Sequence, residues 1–222
     1  MAWAWAGVCV PSGRLGAGIA VAVAAGRTVG AMDDAEIKAF WADARVRGGL
    51  NPAESYIGAT AADMLPPPAW SFGSTPEEAD RLLALVLEGR KTASASALWE
   101  YGPGVSGHDD DGAGDTLVRT QVDVEVPEPG SLSIVLDGAG HPRALLRTTH
   151  VEVVRFGDVD EEHAQREGEG SLERWRADHR RFFEEHAPAG QRVDEDTRVV
   201  LERFVVVVPA GARRAARRAG LL

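Results

Sequence analysis

One segment of the chain, TPEEADRLLALVLEGRKTAS, constrains the fold most, because it holds a helix with clear signals at both ends. Thr75 is a suitable N-cap, Pro76 fits the first helical position and Glu78 completes a capping box. Apolar residues then recur at helical spacing, namely Ala79, Leu82, Leu83, Val86 and Leu87. Gly89 can end the helix in a left-handed conformation. The sequence therefore predicts a helix over 76–88, followed directly by the turn GRKTAS.

Other helix and strand patterns follow one another without a regular alternation. The predicted elements are a helix between Asp33 and Gly48, helices over 159–167 and after Ser171, a hairpin turn at 137–140 and a last strand over 198–208. This mixture favours an α+β fold with a small curved sheet or barrel over a doubly wound parallel sheet.

Composition excludes several functional classes. The chain has 222 residues and a net charge of −10, which argues against a broad basic surface for duplex nucleic acid. A pocket that reads one base or nucleoside remains compatible with this charge. The single cysteine, Cys9, excludes an internal disulfide and a cysteine-based zinc cluster. No run of about eighteen apolar residues is present, so we expect no membrane span.

The first 31 residues differ from the rest of the chain. They contain an apolar Ala/Val/Gly stretch at 15–26, and MDDAEIKAFW resembles a fresh protein start at Met32. We interpret residues 1–31 as a disordered extension or as sequence upstream of a misplaced start. A signal peptide is the alternative, since Arg14 precedes the apolar stretch. Translation from Met32 would predict a cytoplasmic protein.

The remaining chain is expected to form one domain over 32–210 with two additions. An acidic, glycine-rich insertion occupies about 102–126, and its TLVRTQVDVEV could add a strand pair or a flap near a site. A basic tail occupies 211–222 and is expected to be a solvated, partly helical end. Its RRAARR could alternatively touch RNA phosphates.

Four ordered blocks between Trp70 and Val208 resemble the ASCH domain (activating-signal-cointegrator homology). The most specific pieces are the GRKTAS turn, EGEGSLERWRADHRRFF and LERF. The resemblance implies a PUA-like fold, in which a small β-barrel is flanked by α-helices. It also implies a role in recognising RNA or modified bases, with RNA or a nucleoside as the ligand.

The chain is also similar to a bacterial branch of this superfamily, the small N4-acetylcytidine amidohydrolases. That resemblance implies three catalytic positions, Lys91, Ser94 and Glu167. Ser94 stands where that branch has threonine. Other relatives have been described as metal-stimulated ribonucleases or as RNA-binding modules. Amidohydrolase, ribonuclease and non-catalytic binding module therefore all stay open.

The chemistry of amide hydrolysis suits these three residue types. A serine hydroxyl is a weak nucleophile unless a base takes its proton. Lys91 can do so as a neutral amine, which the neighbouring Arg90 would favour. Glu167 is predicted at the negative end of a helix dipole, which should raise its pKa. We expect all three at a pocket surface, so that replacing them would leave folding unchanged.

The position of Lys91 and Ser94 in the chain adds one geometric condition. Side chains alternate along a strand, so these two would face opposite sides of a flat one. They converge only if the chain is still turning or bulged near Thr92. Otherwise Thr92 or Ser96 would be the alternative hydroxyl.

Other polar and aromatic residues complete the candidate site. The predicted substrate-binding residues are Arg90, Thr92, Trp99 and His163. Trp99 could stack on a base or pack in the core, whereas the helical spacing of Trp175 favours the core. His163 and Glu167 are spaced as a pair of metal ligands, but two ligands are a weak signal. No metal or cofactor is predicted, and the oligomeric state is left open.

Removing residues 1–31 should leave stability unchanged. A chain beginning at Met32 should melt within about 2 °C of the full chain in a thermal unfolding experiment. Loss of about 1 kcal/mol shifts the midpoint by about 2–4 °C at this size. A drop of several degrees would show that the extension packs on the domain.

Overall fold

A computed structural model describes residues 34–50, 65–101 and 126–222. The predicted extension at 1–31 and the start at Met32 lie outside these ranges. The predicted insertion also lies outside them except for its last residue, Val126. The strand pair or flap expected there lies outside the described residues.

The described ranges contain five α-helices, five strands and two short 3-10 helices, Leu98–Glu100 and Phe156–Asp158. The helices are α1 (Asp34–Gly48), α2 (Pro76–Leu87), α3 (Glu161–Glu167), α4 (Leu172–His186) and α5 (Ala210–Arg218). The strands are β1 (Ala69–Trp70), β2 (Ala93–Ala97), β3 (Leu132–Leu136), β4 (Pro142–Arg155) and β5 (Arg198–Val208). The predicted α+β class is confirmed.

The strands form a single sheet in the order β1-β3-β4-β5-β2. β1 is parallel to β3, and the other pairs are antiparallel. Within the described residues no ladder joins β1 to β2, so the sheet is open and the predicted small β-barrel is wrong. Closure requires the two edge strands to pair, and β1 has only two residues with which to do so.

Helices cover the sheet through three apolar clusters. The stripe of α2 packs with β4, β5 and α5, while α1 packs on β3, β4 and β5. The third cluster joins α3 and α4 to β2 and β5 and includes Phe156, Trp175 and Phe183. This cluster packs α3 and α4 against the second half of β2. None of the helices in the described ranges combines the length and apolar character that a bilayer span needs.

Both ends of α2 follow the sequence signals closely. Thr75 Oγ1 accepts a hydrogen bond from Glu78 N at 3.2 Å. The Glu78 carboxylate accepts from Ser74 N at 2.9 Å, so the return bond of the capping box reaches one residue further back. The helix ends at Leu87, and Gly89 has the left-handed φ of 73° that the sequence predicts.

The basic tail packs more than the sequence suggests. It forms α5, whose Ala212 and Ala216 are buried. This helix lies against the end of α2, where a Cβ on Gly89 would come within 2.4 Å of Ala216 N. The tail is helical, as expected, but one face of the helix is not solvated. Alanines spaced by four residues give α5 this apolar face.

Replacing Gly89 with alanine should lower the melting temperature by at least about 4 °C. A positive φ costs an L-residue about 1–3 kcal/mol, and the new Cβ would also collide with the backbone of α5. Gly49→Ala is the matched control, since Gly49 has φ 64° and a Cβ added there would meet no atom within 4 Å. Equal shifts for the two variants in thermal unfolding would contradict the close approach of α5.

Candidate functional site

The chain is still turning at Lys91, because β2 begins only at Ala93. Lys91 N donates to Leu85 O at 3.1 Å in the last turn of α2. Thr92 N then donates to Arg166 O of α3 at 2.7 Å. Lys91 therefore precedes the strand. The side-chain alternation of a strand does not apply to it, so Lys91 can face the same side as Ser94 of β2.

A glycine allows α3 to approach this turn closely. Gly168 ends α3 with φ 73°, and a Cβ there would lie 2.9 Å from Arg90 O. An L-residue would be strained at this φ and would also push the two segments apart. The absence of a side chain brings Glu167, the last residue of α3, against Lys91.

Lys91 and Glu167 form a buried ion pair. Lys91 Nζ lies 2.6 Å from Glu167 Oε2, and each side chain is 2% exposed. The other carboxylate oxygen accepts from Trp175 Nε1 at 2.8 Å and lies 3.2 Å from His163 Nε2. His179 Nε2 lies 3.6 Å from the same oxygen. Trp175 is buried in the core, as the sequence predicts, and also supplies this indole donor.

The charges around Glu167 decide its ionisation. Burial raises the pKa of Glu167, but the Lys91 ammonium and the side chains of His179 and His163 together hold it well below its usual range. The pKa increase expected from the helix dipole is therefore wrong, because a contact at 2.6 Å outweighs the partial charge of a helix end. Burial also lowers the pKa of His179.

A cavity of about 300 Å³ opens beside the ion pair. Lys91, Ser94 and Glu167 all line it, so the structure brings the three candidate catalytic residues together. Aromatic and polar side chains complete its inner wall, namely Trp70, Phe72, Phe182, Ser96, Tyr101 and Glu202. This size is at the lower end of small-molecule sites.

Ser94 and Ser96 of β2 differ in their hydrogen bonding. Ser96 Oγ shares a 2.6 Å hydrogen bond with Tyr101 Oη. Ser94 is half-buried, and no hydrogen bond within the described ranges joins its Oγ to Lys91 or Glu167. Ser94 lies among the residues that line the cavity.

The four predicted substrate-binding residues do not line the cavity. Arg90 is exposed and pairs with Glu88 at 3.4 Å. Thr92 is buried, and Trp99 packs edge-on against Phe183 with ring centroids 6.0 Å apart. His163 lies behind Glu167 and contacts its carboxylate. Arg90 and Thr92 flank Lys91 in sequence, but their side chains leave the turn in other directions.

One group of side chains has the spacing of a metal site. Ligand atoms of Glu167, Glu169 and His179 lie within 4.8 Å of one another. Glu167 is paired with Lys91, however, and Glu169 with Arg81 at 3.0 Å. A cation would have to displace two basic side chains, so this donor set does not fit a metal.

Sequence reasoning missed several residues of the cavity wall. His179 lies on the apolar stripe of α4, a position that by itself indicates core packing. Its spacing of four residues from Trp175 was the one feature that placed both side chains on the same side of the helix. Glu202 belongs to the LERF motif, but its position opposite Ser94 depends on the register of β2 and β5. Burial raises the pKa of Glu202 to about 7, although the hydrogen bond from Thr148 lowers it.

The family model for the ASCH domain matches residues 68–208, which is more than half of the chain. The chain belongs to the ASCH domain family. All the residues of the ion pair and of β2 and β5 lie inside this match. No curated protein sequence matches the chain significantly.

Solved structures of bacterial proteins resemble this ASCH domain. A protein from Enterococcus faecalis V583, described under the family designation DUF984, is 28% identical with a TM-score of 0.57. The match covers 79% of this chain and 92% of that one. An ASCH domain from Lactobacillus crispatus JV V101 is 27% identical with a TM-score of 0.52, covering 73% and 94%.

Breaking the buried ion pair should be strongly destabilising. The sequence predicts instead that these residues lie at a pocket surface, where their replacement leaves folding unchanged. Lys91→Met should lower the free energy of unfolding by about 3–5 kcal/mol, because it leaves the Glu167 carboxylate buried without its cation. The double variant Lys91→Met/Glu167→Gln should lose less than the sum of the single variants. Urea denaturation at neutral pH measures all three, and additive losses would contradict the coupling.

Proposed function

We propose that the cavity binds a nucleoside whose exocyclic amine is acylated, of the N4-acylcytidine kind, and hydrolyses its amide bond. Ser94 acts as nucleophile, Lys91 as its base, and Glu167 holds and exchanges a proton with Lys91. The observation that supports this assignment is one cavity lined by an available serine hydroxyl and a buried Lys–Glu pair. The similarity to the amidohydrolase branch supports the same roles.

The charges of the cavity favour an uncharged nucleoside over a nucleotide or an RNA strand. Among the described lining residues, the acidic side chains are Glu78, Glu167, Glu169, Asp178, Glu185 and Glu202, and the basic ones are Lys91, Arg81, Arg174 and Arg181. A phosphate group would enter a region where carboxylates outnumber cations. An uncharged ring avoids this repulsion and can pack on the aromatic wall.

The first half of the reaction transfers the acyl group to Ser94. The reaction proceeds from the form of the pair in which the Lys91 proton has passed to Glu167 Oε2, 2.6 Å away, so that Lys91 is a neutral amine. The resulting amine accepts the Ser94 hydroxyl proton while Oγ bonds to the acyl carbon. Collapse of the tetrahedral intermediate breaks the bond to N4, and Lys91 returns the proton to that nitrogen. Cytidine leaves, and Ser94 carries the acyl group.

The second half restores the enzyme with water. Lys91 accepts a proton from the water molecule as its oxygen bonds to the acyl carbon. The ester bond then breaks, and the proton passes from Lys91 to Ser94 Oγ. The net reaction converts an amide and water into an amine and a carboxylic acid. Acid–base assistance of this kind contributes roughly 10²–10⁴ in rate.

A non-catalytic binding module is the second candidate, and one contact favours it. Lys91 Nζ is bonded to Glu167 rather than to Ser94, and the pKa of Glu167 is held low by this neighbour and by His179 and His163 despite its burial. An ammonium group held in this way would donate to a ligand without taking a proton from Ser94. The module would bind the same nucleoside and release no product.

Incubation with N4-acetylcytidine tests the two candidates. The wild-type protein should release cytidine, and Ser94→Ala should lower kcat by at least roughly 10², because the nucleophile is lost. Ser94→Thr keeps a hydroxyl and should retain activity. Ser133→Ala is the matched control, since Ser133 also lies on a strand but does not line the cavity, and it should stay within a few-fold of wild type.

Two results would overturn the enzymatic assignment. Tight binding of N4-acetylcytidine without any release of cytidine would support the binding module. Full activity of Ser94→Ala would exclude Ser94 as nucleophile. Each variant's melting temperature should accompany the rates, so that unfolding is not mistaken for loss of catalysis.

A further inference from the structure

Glu202 on β5 stands beside the proposed nucleophile. Ser94 and Glu202 are directly opposite each other in the antiparallel pairing of β2 and β5. Side chains at opposite positions share a face of the sheet, with Cβ atoms about 4.5–5.5 Å apart. Both residues line the cavity. The carboxyl group of Glu202 therefore meets whatever part of a ligand lies next to the Ser94 hydroxyl.

This carboxyl group has no basic partner in the described part of the chain. Its one hydrogen bond there comes from Thr148 Oγ1, which donates to Glu202 Oε1 at 2.5 Å. Burial raises the pKa of Glu202 to about 7, and the Thr148 bond lowers it only in part. Near neutral pH a substantial share of Glu202 is the uncharged acid, which can both donate and accept hydrogen bonds.

Thr148 makes the two oxygens of this acid different. When Thr148 Oγ1 donates to Oε1, as it does to the ionised carboxylate, Oε1 serves as the carbonyl oxygen of the acid and the acid proton resides on Oε2. The acid then offers an acceptor and a donor side by side in a fixed order. The complementary ligand edge is an N–H next to a ring nitrogen that accepts.

We infer that Glu202 binds the amidine-type edge of a nucleobase, an exocyclic N–H beside an acceptor ring nitrogen, as on cytosine. The identity of the ligand as a nucleoside rests on the proposed function. When the acyl carbon of an N4-acylcytidine lies at Ser94 Oγ, N4 and N3 are the next atoms of the ring edge. Uracil in the same pose places a carbonyl oxygen and an N–H against Glu202, so both contacts become repulsive.

Binding of cytidine and uridine by calorimetry at pH 6 tests this inference without any acyl chemistry. The wild-type protein should prefer cytidine by about 10- to 100-fold. Glu202→Gln should keep this preference, because its amide offers the same acceptor and donor. Glu202→Leu should weaken cytidine binding about 10- to 100-fold and remove the preference.

Two further variants separate recognition from folding. Glu100→Gln is the matched control, since burial also raises the pKa of Glu100 to about 7 but Glu100 does not line the cavity. Its cytidine affinity should equal that of wild type. Thr148→Val removes the bond that orders the carboxyl group, so it should reduce the preference several-fold. It decides the question if Glu202→Leu fails to fold.

Equal affinity of the wild-type protein for the two nucleosides, or binding of neither, would overturn the inference. An unchanged preference in Glu202→Leu, or in Thr148→Val when Glu202→Leu is unfolded, would do the same. Failure of the wild-type protein to hydrolyse N4-acetylcytidine would count against the amidohydrolase only, provided that the cytidine preference and its dependence on Glu202 are found.

Discussion

The buried pair of Lys91 and Glu167 is the interaction on which the geometry of the site depends. Two charges that are almost completely removed from water need a close partner and further hydrogen bonds to offset their lost hydration. The fold provides both, since Lys91 Nζ reaches one oxygen of Glu167 and Trp175 donates to the other. Lys91 follows the end of α2, Glu167 ends α3 and Trp175 lies near the start of α4, so these contacts bring three helices together around one point.

The cavity follows from the way in which these helices end. α2 stops at a glycine, the chain turns through Lys91, and β2 starts two residues later. α3 also stops at a glycine and meets that turn from the other side. Helix ends, rather than strand faces, therefore position the charged groups, while β2 and β5 supply the neutral and weakly acidic wall formed by Ser94 and Glu202.

Local signals in the sequence predicted most of the elements but little of their pairing. The caps at Thr75 and Ser171 and the strand over 198–208 depend on neighbouring residues, and the structure has them where the sequence places them. The closed barrel and the pKa of Glu167 depend on contacts between distant segments. Glu202 was missed for the same reason, since only the strand register reveals that it faces Ser94.

The C-terminal helix connects to both supports of the ion pair. α5 packs on the end of α2 at Gly89, and Arg166 of α3 donates a hydrogen bond to the carbonyl of Leu221, just beyond α5. This whole segment lies after residue 208, where the family match ends. Residues outside the family match therefore help to hold Lys91 and Glu167 at their observed distance. A relative that lacks an equivalent helix must hold these two helix ends together by other contacts.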